Sequence, residues 1–183
     1  MRKLIIPITI ALLAGLLSAC SSGARAPEQV AGEPAPVQAS ALLAPTQGNA
    51  VQGNVVFRQE ADGSIRVIAE VSGLTPGSHG FHVHENGDCS APAGSSAGGH
   101  FNPHNAAHGK VGEGTHHAGD MPSLEAGDDG NAKLNVVLNG ITLTGDDGIS
   151  GRGLIVHADP DDYVSQPTGN AGARIACAVI QMD

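Results

Sequence analysis

The sequence contains no tryptophan, one tyrosine and three phenylalanines among its 183 residues, so its core must be built from Val, Ile, Leu and Ala. Basic residues are scarce too. Nine Lys and Arg stand against eighteen Asp and Glu, a formal net charge of −9, and nucleic acid is excluded as a natural partner because neutralising phosphates needs a basic face. Long apolar runs are missing. The one candidate, Leu4–Leu17, is too short to span a bilayer and is interrupted by Pro7. No helical periodicity or internal repeat is visible beyond residue 40. What is abundant is glycine: 26 residues, about twice the usual share, which implies many turns.

Arg2-Lys3 before Leu4–Leu17 makes residues 1–19 read as a secretory signal. Removing it leaves seven basic against eighteen acidic residues, a net of −11. The run ends in Leu17-Ser18-Ala19-Cys20, which resembles the lipobox of bacterial lipoproteins, where cleavage leaves Cys20 as the lipidated first residue. The alternative is an ordinary signal cut near Ala19 with a free thiol. Ser21 after the cysteine suggests, by that class's sorting pattern, anchoring to the outer membrane, and hence a periplasmic protein of a Gram-negative envelope. Residues 20–39, rich in Ala, Pro, Gln and Ser, read as a tether with a reach of roughly 25 Å.

Residues 40–183 are long enough for one domain. Eight short β-rich runs are expected: Ser40–Thr46, Val51–Gln59, Ile65–Val71, Gly80–His84, Ala132–Leu138, Ile141–Thr144, Gly153–His157 and Ile175–Gln181. The class is all-β, an antiparallel sandwich or barrel. Asp62-Gly63 is a hairpin signal between the second and third runs. Two long stretches without regular pattern, Glu85–Gly130 and Ala158–Arg174, are expected to be functional loops.

Eight of the nine histidines lie between His79 and His117, and the ninth, His157, closes a predicted strand. His82 and His84 alternate with Val83, so their side chains emerge on one face of a strand and can grip one ion. By themselves they could equally be exposed polar strand residues. His100, His108, His117 and Asp120 then recur within a Gly-rich loop that has no core of its own. Three imidazoles and a carboxylate are a set that zinc accepts in a closed tetrahedral site, and zinc would serve as the loop's core.

Five motifs carry a resemblance: Gly80-Phe81-His82-Val83-His84-Glu85, Gly98-Gly99-His100-Phe101-Asn102-Pro103, His117-Ala118-Gly119-Asp120, Gly151-Arg152-Gly153-Leu154-Ile155-Val156-His157 and Gly169-Asn170-Ala171-Gly172-Ala173-Arg174-Ile175-Ala176-Cys177. In this order they resemble those of the copper-zinc superoxide dismutases, and specifically the bacterial lipoprotein form. The resemblance implies an eight-stranded Greek-key barrel, immunoglobulin-like, with two long loops over the metals. It implies copper on His82, His84, His100 and His157, zinc on His100, His108, His117 and Asp120, and His100 as the shared imidazolate. Superoxide is then the substrate, dismuted to oxygen and hydrogen peroxide through a Cu(II)/Cu(I) cycle. His100 supplies a proton, and Arg174 binds the anion beside copper.

Asp161 takes the place of the family's aspartate that accepts hydrogen bonds from one copper and one zinc ligand, here His82 and His108. His79 matches a family histidine that bonds within the fold. His104 and His116 match no ligand and are expected to face solvent. With Cys20 lipidated, Cys89 and Cys177 remain for a disulfide pinning the first long loop to the last strand, as in the family, with free buried thiols as the alternative. A homodimer is compatible with the resemblance, since family members associate through different barrel faces. The rival functional reading is a non-catalytic periplasmic lipoprotein that binds copper or zinc. Finally, Ala158–Ala173 contains no Lys or Arg, which leaves Arg174, the metals and Lys110 as candidate attractors of the anion.

Overall fold

In the computed structural model, residues 37–183 are described, and alternation governs the first three strands, β1 (Gln38–Pro45), β2 (Gln52–Gln59) and β3 (Ile65–Ser72). Ala39, Ala41 and Leu43 of β1, Val55 and Phe57 of β2, and Ile65, Val67, Ala69 and Val71 of β3 are all buried. Residues between them point outward, as a pleated strand with one solvated face requires. The β2–β3 turn is the hairpin expected at Asp62-Gly63: Gly63 takes φ +87, and Asp62 Oδ1 accepts from the Ser64 N–H at 3.0 Å. The signal segment, Cys20 and the tether up to residue 36 lie outside the described residues. β1 begins at Gln38, so Gln38 and Ala39, expected in the tether, are part of the sheet.

The remaining strands are β4 (Gly77–His79), β5 (Phe81–His84), β6 (Leu124–Ala126), β7 (Ala132–Leu138), β8 (Gly153–His157), β9 (Arg174–Val179) and β10 (Gln181–Met182). Their order is β4-β6-β7-β3-β2-β1-β9-β8-β5, with β10 beside β1, and every ladder is antiparallel. β4 and β5 are consecutive in the chain yet stand at opposite ends of this order, separated only by Gly80. One extended segment therefore pairs with β6 through its first half and with β8 through its second, which closes the sheet into a barrel. β9 and β10 likewise form one edge along β1, interrupted at Ile180, whose N–H bonds Arg152 O at 2.9 Å. The ten segments thus occupy the eight positions expected of the barrel. Two connections skip neighbours, β3 to β4 and β7 to β8, and these give the Greek-key order.

One expected strand is not formed, and two, β4 and β6, were not among the expected runs. Ile141–Thr144 is a turn segment with a single isolated bridge, Thr142 to Gly148. Gly140 and Gly145, both at positive φ, close it off on either side before a ladder can extend. Its alternation still reports burial, because Ile141 and Leu143 are inside. β6 is three residues long and owes its existence to pairing with β4.

β5 and β8 are buried on both faces. Phe81, Val83, Leu154 and Val156 enter the main core, whereas Ile155 packs outside with Ala97 and Cys177. The long loops cover that outer face. Cys89 and Cys177 are disulfide-bonded with a Cα–Cα distance of 5.9 Å across a separation of 88 residues, which ties the first loop to β9. In the chain-entropy account a closure of that length contributes roughly 4 to 5 kcal/mol.

Candidate metal centre

His82 and His84 leave the outer face of β5, as their alternation with Phe81 and Val83 requires, and two loop segments dock along that strand's free edge. Val83 N–H bonds Gly119 O at 2.9 Å, and Val83 O accepts from Phe101 N–H at 2.9 Å. Bridges form between His84 and His100 and between His82 and Asp120. Residues far apart in sequence thus arrive beside the strand histidines. Gly119 is required here, since a Cβ would collide with Val83 O. His157 closes the group from the end of β8.

One ring nitrogen of each histidine around the first point is already engaged. His82 Nε2 donates to Asp161 Oδ2 at 2.7 Å, His84 Nδ1 to Gly98 O at 2.9 Å, and His157 Nδ1 to Gly172 O at 3.2 Å. His100 Nδ1 faces Asp120 Oδ1 at 2.8 Å. The opposite nitrogens are free. His82 Nδ1 and His100 Nε2 are buried with no hydrogen-bond partner, and the Nε2 atoms of His84 and His157 stand 3.4 Å apart. One ligand atom from each of the four residues lies within 4.8 Å of the others. Burial pushes His82 well below the usual histidine range, His84 to about 2 and His157 to about 4. All three are neutral at physiological pH, the form that ligates metal.

A second group shares His100. Asp120 Oδ1 is met by Nδ1 of His100 at 2.8 Å, of His108 at 3.0 Å and of His117 at 3.4 Å. In the metal-ligating form of His108, whose one ring proton goes to Asp161 Oδ1 at 2.9 Å, Nδ1 presents a lone pair to a carboxylate oxygen. Such a pairing is repulsive unless a cation stands between them. The separations also suit one. Four ligands at zinc distances in a tetrahedron are about 3.3 Å apart, and the Nδ1 of His117 is another buried atom with no partner. Burial opposes ionisation of Asp120, but hydrogen bonds from His100 and the His117 main chain, with the nearby imidazoles, hold it at about 2.

A family model, copper/zinc superoxide dismutase, matches residues 51–180. The chain belongs to that family. A crystal structure described as that of the clock protein EA4 is similar at 37% identity and a TM-score of 0.74, covering 83% of this chain and 98% of that one. In this dismutase-family chain the histidines form two adjoining groups able to hold metal, with His100 common to both.

The structure brings Arg174 to the same face as His157. Its guanidinium donates through Nη1 to Gly94 O at 2.6 Å and through Nη2 to Gly98 O, the carbonyl that also accepts from His84. Beside it a cleft of about 340 Å³ is lined by Thr46, Gln47, Asn49 and Gly172. Asp161 accepts from His82 and His108 as the resemblance implies, and also from the Tyr163 N–H at 2.7 Å. His79 bonds His157 O at 2.9 Å inside the barrel. His104 is exposed, yet it does not face solvent alone: its Nε2 pairs with Asp147 at 2.7 Å. His116, also expected to face solvent, is half-buried and contacts His117 O at 2.8 Å. Lys110 is paired with Glu113 at 2.6 Å, which offsets its charge.

Two contributors escaped the reading of the sequence. Gly169, at φ +66, lets Asp161 approach His108, since a Cβ there would overlap both Asp161 Oδ1 and His108 Nε2. Tyr163 pins the second loop to the start of β6, its hydroxyl accepting from the Ser123 N–H at 3.1 Å. Its place at the head of the fifth motif and a positive-φ requirement in the Gly169-Asn170 turn were the signals available for the first. For the second there was none.

Proposed function

We propose that this protein is a superoxide dismutase, with copper held by His82, His84, His100 and His157 and zinc by His100, His108, His117 and Asp120. The reading rests above all on the buried, partnerless nitrogens His82 Nδ1 and His100 Nε2 turned toward one point beside Arg174. Copper there would supply the one-electron couple that takes one superoxide to oxygen and a second to hydrogen peroxide. The protein's own part is positional and electrostatic. Arg174, fixed by two backbone carbonyls next to His157, holds the anion by charge and paired N–H donors. His100, with Asp120 at its Nδ1, is the group able to take a proton at Nε2 and pass it to the departing peroxide. Asp161 keeps His82 and His108 in the tautomers that leave their Nδ1 atoms free.

We further propose that residues 1–19 are a lipoprotein signal, that Cys20 carries lipid, and that residues 20–36 tether the enzyme in a Gram-negative periplasm, with the outer membrane as the anchoring surface. Pulse radiolysis of the full chain loaded with copper and zinc tests the activity. Catalysed second-order disappearance of superoxide is expected. Stoichiometric binding of both metals without catalysis would establish a metal carrier instead.

A further inference from the structure

We propose that Gln166 is a positioning residue for the zinc site, acting through the main chain of His108. The inference rests on the reading of His108 as a zinc ligand. His108 lies in a stretch, 101–123, that forms no strand or helix, and it is 3% exposed. Its own N–H and C=O have no ladder partner. Both are taken by the side-chain amide of Gln166. Oε1 accepts from His108 N–H at 2.9 Å, and Nε2 donates to His108 O at 3.0 Å. The amide thereby pairs with His108 as a neighbouring strand residue would, across 58 positions of sequence.

The loop that carries Gln166 also carries Asp161, which accepts from His108 Nε2. His108 is therefore held by that loop at its N–H, its C=O and one ring nitrogen, and only Nδ1 is left to face Asp120. The two contacts do different things. Asp161 fixes the rotation of the ring, while Gln166 fixes where the ring is mounted. Gln166 is itself exposed, and its other bond, to Val164 O at 3.2 Å, is local to the loop. Loss of its amide leaves two buried backbone groups unpaired and lets Nδ1 drift relative to Asp120.

The test measures zinc affinity of the full chain by chelator competition with zinc alone, together with melting temperature in the metal-free and zinc-bound states. Gln166→Ala should weaken zinc binding about tenfold, leave copper affinity unchanged, and lower the melting temperature of the zinc-bound protein more than that of the metal-free protein. Gln166→Met, similar in volume but without the amide, should match the alanine variant. Wild-type zinc affinity in both variants, while His108→Ala loses zinc, would overturn the role of Gln166 and leave the zinc site standing. Unchanged zinc binding in His108→Ala would remove His108 from the site, and the inference with it. An equal fall in melting temperature with and without zinc would make Gln166 a structural brace only.

Discussion

His157 on β8 lies opposite Arg174 on β9 at the one place where their ladder slips. Upstream, Ile155 faces Cys177 and Val156 faces Ala176, so regular pairing would set His157 against Ile175. The register shift after Val156 skips Ile175, which turns into the core. Arg174 is thereby carried from the inner face to the outer one, beside the histidines. Re-aiming a side chain is a recurrent use of a β-bulge.

With Arg174 so placed, attraction of the anion is local. The loop before it has no basic residue, Asp159 and Asp162 are exposed, and Lys110 is offset by Glu113. Activity should change little, or rise, as salt goes from low to physiological, where charges beyond about 8 Å are screened. A strongly steered enzyme slows under the same change. Arg174→Glu should cut the rate on the order of a hundredfold. Both are read by pulse radiolysis at fixed pH and full metal loading, and a steep wild-type decline with salt would contradict local capture.

The two metal groups should separate by mutation. Asp120→Ala removes the oxygen that three imidazoles face, so zinc affinity and melting temperature should fall while copper-dependent activity persists in part. His157→Ala should abolish turnover with a smaller loss of stability. Metal analysis, calorimetry and activity on the same preparations would expose the reverse pattern if it occurred.

Metal-free protein should lose stability in acid, in two windows. His84 and His157, held by burial at about 2 and about 4, stay neutral where the unfolded chain, near 6.5, is already binding protons. Their stabilising contribution is present above pH 6.5 and declines as pH falls, levelling near pH 4 for His157 and only near pH 2 for His84. Asp120, held at about 2 against an ordinary 3.8, adds a further loss from about pH 4 downward. His157→Gln should make the slope between pH 6.5 and 4 shallower, with His84 supplying the remainder, and leave the loss below pH 4 unchanged. Thermal unfolding from pH 7 to 3 measures both slopes.

How much of this was legible in the sequence follows from the range of each contact. Alternation in Gln52–Gln59 and Ile65–Ser72 is a local signal, and those strands were read within a residue of where they lie. His82, His84, His100, His108, His117, Asp120 and His157 were gathered through the family resemblance of their motifs, since residue type and motif order survive without a structure. Leu124–Ala126 was not readable, because three residues become a strand only when Gly77–His79 lies alongside. The clamp of Gln166 on His108 and the bulge at Ile175 are likewise products of two distant segments meeting. Ile141–Thr144 shows the converse: alternation reports burial, and a ladder needs a partner as well.

Gly169→Ala tests how tightly the two loops are fitted. Its φ of +66 already disfavours a side chain, and the added methyl would press on Asp161 and His108 together. Zinc affinity should fall by about 10- to 100-fold, with a lower melting temperature of the zinc-bound protein. Chelator competition that found the wild-type value would mean the loop can retreat without cost to the site.

Cys20→Ser should move the protein from the membrane fraction to the soluble periplasmic fraction, with the specific activity of the purified protein unaltered. Fractionation with an activity assay on each pool decides it. Persistent membrane association of the variant would sink the lipid anchor.

Closure of the sheet by Gly77–His84 has a consequence apart from any reaction at the metal groups. The strand that seals the barrel is the one that carries His82 and His84, so the seam and the metal grip share a backbone. An ion bridging that strand to His157 on β8 and to the loop at His100 would act as a rivet across the seam. Among the described residues the edge of Phe81–His84 is covered by the loops at His100 and Asp120, and edge-to-edge pairing there would have to begin by expelling metal.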